Sequence, residues 1–122
     1  MANLAGNFVG VLFTSRTVAH QLHLKTKSYA EHKALQTFYE DIIDLVDGFA
    51  EQYQGRHEEL LTIPAYTTKE PDDPLKYFKT TVAWIEDNRD KIVPLKETSL
   101  QNTIDEVLAL FYSTIYKLKF LK

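Results

Sequence analysis

At 122 residues, 44% hydrophobic and 25% charged, the chain has the size and composition of one packed domain, which excludes disorder as its ground state. A net charge of −3 argues against broad phosphate neutralisation, so nucleic acid is not an expected partner. The absence of Cys excludes disulfides and thiolate metal sites.

Met1 to Ser15 carries neither the basic stretch of a leader nor an apolar run long enough for a membrane helix. The expectation is a cytoplasmic protein with no membrane contact. Leu4, Phe8, Leu12, Ser15, Ala19 and Leu22 then recur at spacings of three and four, which predicts a first amphipathic helix running to Lys25.

A second helix opens at Ser28, where Ser28 and Glu31 form a capping box: the hydroxyl and the carboxylate each satisfy a backbone N–H that the first turn leaves free. Leu35, Phe38, Ile42, Leu45 and Phe49 form one stripe along it, and Tyr39, Ile43, Val46, Ala50 and Tyr53 a second beside it. This apolar arc is wide enough to suggest that the helix faces both its own bundle and another subunit. Gly55 is the expected residue just past its end.

Arg56 to Asp73, with Pro64 and Pro71, reads as a crossover. Asp73 as cap and Pro74 at the first helical position start a third helix, with Leu75, Phe78, Val82 and Ile85 inside and its end before Pro94. A fourth begins at Thr98 or Ser99 and buries Ile104, Leu108, Phe111, Ile115 and Leu118. Two short connections around one long one predict an all-α, four-helix ferritin-like up-down bundle, a single domain over residues 1–122. Trp84 is expected in the core or at an interface. The basic cluster Lys117, Lys119 and Lys122 complements the negative end of the last helix.

Chemistry concentrates in the first two helices. His20 and His23 lie one turn apart near the end of the first, and the turn over Lys25 to Lys27 brings His32 toward them. Asp47 and Glu51, four residues apart, share one face of the second helix. Imidazole with carboxylate suits iron, zinc or manganese. His32 and Asp47 are fifteen positions apart, about 22 Å along one helix, so one subunit cannot complete such a site. Two second helices crossing antiparallel about a two-fold axis would complete it, giving a homodimer or higher homo-oligomer. Thr14, Ser15, Ser99 and Ser113 have no His and acid arranged about them, and no glycine-rich phosphate loop is present.

The series His20-Gln-Leu-His23, His32 with Tyr39 seven residues on, and Asp47-Gly-Phe-Ala-Glu51 resembles the mini-ferritins, the Dps proteins. The resemblance implies a ferroxidase centre shared across a dimer two-fold, with His23 and His32 as imidazole ligands and Asp47 and Glu51 as carboxylates from the other copy. The stretch from Leu24 to Leu35 also looks like small ferritin-like proteins of unassigned role encoded by bacteriophages, which implies host cytoplasm or virion as the location. Leu24 stands where mini-ferritins carry Trp, and the crossover is short for their extra helix. A second expectation therefore stays open, a non-enzymatic helical adaptor or phage accessory protein that binds another protein.

Overall fold

The computed structural model describes residues 3–67 and 69–122. Among them lie four α-helices: α1 (Leu4–Lys25), α2 (Tyr29–His57), α3 (Pro74–Ile92) and α4 (Thr98–Phe120). Two start signals, Ser28 and Asp73, are those read from the sequence, although the Ser28 N–H goes to the Thr26 hydroxyl and not to the Glu31 carboxylate. The Ser28 hydroxyl accepts the Glu31 N–H and the Asp73 carboxylate accepts the Lys76 N–H, while Asn3 caps α1 through the Gly6 N–H. The fourth helix opens after Glu97, whose side chain turns away from the helix and makes no cap bond.

α1 packs on α2 and α3, and α4 packs on the same two, while neither α1 with α4 nor α2 with α3 approaches at the backbone. Every helix therefore has two neighbours and needs an apolar arc wide enough for both. Both sides of the wide arc on α2 find partners within the chain: its Tyr39 side meets α1, where His20 stacks on the ring, and its Phe38 side meets Phe111 of α4. A second subunit is not needed to account for it. Phe38, Phe78 and Phe111 meet ring to ring with centroids 4.7–5.5 Å apart, so the diagonal helices α2 and α3 join through aromatic edges at the centre. Phe8 lies edge-on to Phe49 one layer away. Trp84 is half-buried against this core.

Residue pairing gives the directions. Asn3 meets Tyr53 while His23 meets His32, so α1 and α2 are antiparallel; His57 meets Glu97 while Phe38 meets Phe111, so α2 and α4 are antiparallel as well. α4 also runs against α3, because Arg89 binds Gln101 while Glu86 binds Tyr112. α2 and α3 consequently point the same way, and the segment joining them travels the length of α1. It leaves α2 where the Leu61 N–H donates to the Gln54 side chain, and it arrives where Lys25 pairs with Glu70 at 2.9 Å.

α2 does not stop at Gly55. It continues to His57 and ends through Glu58, which takes the left-handed conformation at φ 52°. The reason is the partner waiting there: the extra turn carries Arg56 and His57 to the carboxylate of Glu97. Gly6 and Gly10 have a different role, because a side chain on either would collide with the crossover. A Cβ on Gly6 would strike the Thr62 carbonyl oxygen, and one on Gly10 would sit 2.7 Å from that of Pro64. Gly48, on the outer face of α2, has open space around it.

Two substitutions separate these roles by thermal or urea unfolding. Gly10→Ala is expected to destabilise the fold by about 1–3 kcal/mol despite its better helix propensity, because a backbone segment must shift. Gly48→Ala should stabilise it by about 0.5–1 kcal/mol.

Candidate functional site

The last turns of α1 set His20 and His23 at positions i and i+3, on neighbouring parts of one face. The turn that follows is fixed by local bonds: the Thr26 hydroxyl accepts the Ser28 N–H, and Ser28 in turn caps α2. It brings the ring of His32 face to face with that of His23, with centroids 3.7 Å apart and planes 20° from parallel. His20 stacks on Tyr39 at 4.2 Å, and the Tyr39 ring stands edge-on to His23 at 5.1 Å. His23 is buried, His32 half-buried and His20 exposed.

The hydrogen bonds of the pair fix its protons. Nδ1 of His23 is 2.8 Å from the carbonyl oxygen of His32, and Nδ1 of His32 is 2.8 Å from that of His23. A carbonyl oxygen can only accept, so both Nδ1 atoms carry hydrogen and donate. Neutral rings held this way keep the lone pair on Nε2, the arrangement in which a histidine serves as a metal donor. No buried side-chain nitrogen or oxygen among the described residues lacks a partner, so each Nε2, which has none, is open to solvent. The carbonyl of His23 belongs to the last turn of α1, where no following N–H of the helix is available, and His32 supplies the donor. The reciprocal bonds thus also lock the α1–α2 hairpin.

Because the rings are stacked, their lone pairs lie in nearly parallel planes and do not aim at a common point between them. Each imidazole is a separate, single-ended donor. Asp47 and Glu51 are not brought to them. Both lie on the exposed outer stripe of α2 with Glu40 and Asp44, without a hydrogen bond or ion pair among the described residues. Within one chain no group of three or more His, Asp or Glu side chains among the described residues is placed to hold a metal ion. The structure gathers His20, His23 and His32 and leaves the carboxylates further along α2.

A second polar cluster, at the far end of the bundle, is absent from the sequence reading. Glu97, buried to 6% exposure, takes the Nε2–H of His57 at 2.8 Å and the Nε of Arg56 at 3.4 Å on one carboxylate oxygen. His57 stacks on Tyr53, whose hydroxyl accepts from Asn3 and donates to Glu59; burial pushes that hydroxyl above its ordinary pKa and keeps it a donor. Beside it, the Gln101 amide donates to the carbonyls of Arg89 and Val93, closing the end of α3, and Arg89 answers with bonds to Gln101 and Asp105. The only sequence signal was weak: an acid and an amide placed where a fourth helix should bury apolar residues.

Fold and site together describe an all-α protein of four helices with a locked imidazole pair at one end and a buried carboxylate clamp at the other. The chain belongs to a family of unknown function (DUF5856), whose profile matches residues 23–118 and so takes in His23, His32, Asp47 and Glu51. It is similar to an uncharacterized 14.6 kDa protein from the mobD-ri intergenic region of Enterobacteria phage T4, 34% identical over 116 residues that cover 93% of this chain and 87% of that protein. No solved structure matches the chain.

A double-mutant cycle tests the imidazole pair. His23→Ala and His32→Ala should each destabilise the fold by about 1–3 kcal/mol, since each strips a bond from a partly buried carbonyl. Their coupling should be about 0.5–3 kcal/mol, and strictly additive losses in urea unfolding would show that the rings act independently.

Proposed function

We propose that the protein is a ferritin-like metal-binding protein, in which an imidazole of one copy and carboxylates of a second share each Fe(II) as the ion oxidised or stored. The observation that carries this reading is the reciprocal Nδ1 donation of His23 and His32, which leaves both Nε2 donors unspent. His20 lies beside them as a third donor, with its ring centroid 5.9 Å from that of His23. Asp47 and Glu51 supply anionic oxygens that favour the higher oxidation state, and they reach the imidazoles only if a second α2 lies antiparallel. The directions of α1 to α4 and the long α2–α3 connection support a ferritin-like frame. Zinc and manganese share this donor preference and belong to the same proposal. The phage relative supports the host cytoplasm or the virion as the place of action.

Native mass measurement with and without Fe(II) tests it. The expected result is an even-numbered assembly carrying metal, lost in Asp47→Ala, whose exposed position leaves the fold intact, and in His32→Ala. A monomer that binds no metal under both conditions removes the reading.

A second reading, a helical adaptor that binds another protein, is favoured by the groove between α1 and the crossover. That hollow is about 560 Å³, and Phe13, Ile63 and Tyr66 stand partly exposed around it. Recovery of a stoichiometric protein partner, unaffected by chelator or by His32→Ala but abolished by Tyr66→Ser, supports the adaptor.

A further inference from the structure

We propose that the pole of the bundle built from the first turn of α2 and the last turn of α4 docks onto an anionic lipid surface, with apolar side chains entering the interface and lysines facing the headgroups. The inference is independent of the metal reading.

The register of the helices places the residues. Phe38 meets Phe111, and nine residues further along each antiparallel helix stand Tyr29 and Phe120, at the same height. Leu24 lies in the last turn of α1 at this pole, and Leu121 follows α4. These are side chains that a folded protein ordinarily covers, yet Tyr29 is 76% exposed, Leu24 71%, Phe120 63% and Leu121 47%. No other region of the described chain exposes so many large apolar groups together with unpaired cations. Lys27, Lys33, Lys117, Lys119 and Lys122 surround them, and none is held in an ion pair among the described residues. Lys119 Nζ lies 5.7 Å from the Phe120 ring centroid, so cation and apolar group share one edge. Of the acids at this pole, Glu31, Glu70 and Asp72 line one hollow beside the crossover, where Glu70 is bound to Lys25, and Asp73 caps α3.

The opposite pole mixes signs, with Glu58, Glu59 and Asp90 exposed beside Lys91 and Lys96, and its exposed large apolar side chains are Leu60 and Leu95. α2 has 29 residues, so the two poles are about 43 Å apart. That is several screening lengths at physiological salt, roughly 8 Å each. The lysines therefore act on a nearby negative surface without cancellation from the acids of that far pole, and the overall charge of −3 does not by itself oppose the contact. A second copy lying against α1 and α2 would leave the end of α4 free, because α4 lies diagonally across the bundle from α1.

The aliphatic tips choose among anionic partners. A nucleic acid strand would reward the lysines and the aromatic rings but gains nothing from Leu24 and Leu121. A lipid interface rewards all of them, since binding there scales with apolar area inserted plus attraction to anionic headgroups. No helix of the described residues is long and apolar enough to cross a membrane, so the contact is a surface one.

Flotation of the full chain with vesicles tests it, using phosphatidylcholine alone and phosphatidylcholine mixed with phosphatidylglycerol. Partition into the anionic vesicles should exceed that into neutral ones by roughly tenfold and fall as salt rises. Phe120→Ser with Leu121→Ser, and separately Lys119→Glu with Lys122→Glu, should each cut it by a similar factor while helical circular dichroism is unchanged. Leu60→Ser at the opposite pole should not alter it. Failure to float with either vesicle, equal flotation of wild type and both double variants, or binding of a single-stranded oligonucleotide in place of vesicles overturns the proposal.

Discussion

The constraint on which the rest depends is the route of the segment between α2 and α3. It must run along α1 for the distance from Gly6 to Lys25, about 29 Å at the helical rise, and it does so pressed against the two positions where α1 has no side chain. Residues 58–73, nearly extended, can span up to about 53 Å, so length is sufficient and close approach is the limiting factor. Only that route lets α3 start beside the α1–α2 turn and run parallel to α2. The meeting of Phe38 with Phe78 at the centre follows from it, as does the delivery of Glu97 to the end of α2.

Polar pairing then differentiates the two poles of an otherwise apolar bundle. At one, imidazoles and carbonyls hold a hairpin together by local bonds. At the other, Glu97 and Tyr53 tie together segments that are distant in sequence, while Gln101 closes the short α3–α4 connection. Removing one partner of such a pair leaves the other buried and unsatisfied, which costs more than the bond itself contributes. Both poles are therefore places where substitution is felt strongly, although neither lies at the centre of the core.

Much of this was legible in the sequence because its signals are local. The capping residues Ser28 and Asp73, the proline at position 74 and the spacing of Phe8, Leu12, Ala19 and Leu22 each determine structure within a turn or two, and they placed the helices correctly. Gly55 misled because a glycine ends a helix only when nothing beyond it rewards another turn, and here Glu97 does. The width of the apolar arc on α2 reports two neighbours without saying whether they belong to the same chain. The convergence of His20, His23 and His32 was readable from one short turn. The Nδ1 bonds that orient the rings, and the stacking that keeps their lone pairs apart, depend on backbone carbonyls that no side-chain pattern encodes. Glu97 with His57 was invisible because forty residues and a change of helix separate the partners.

That contrast between local and distant pairing bears on the order in which the molecule assembles. Joining His23 to His32 closes a loop of nine residues, while His57 to Glu97 closes forty and Asn3 to Tyr53 fifty. On a logarithmic cost of loop closure the distant pairs demand about 1.3–1.5 kcal/mol more chain entropy than the near one. The histidine end can zip up as an independent hairpin, whereas the carboxylate end is a seam that closes only once α4 has come home.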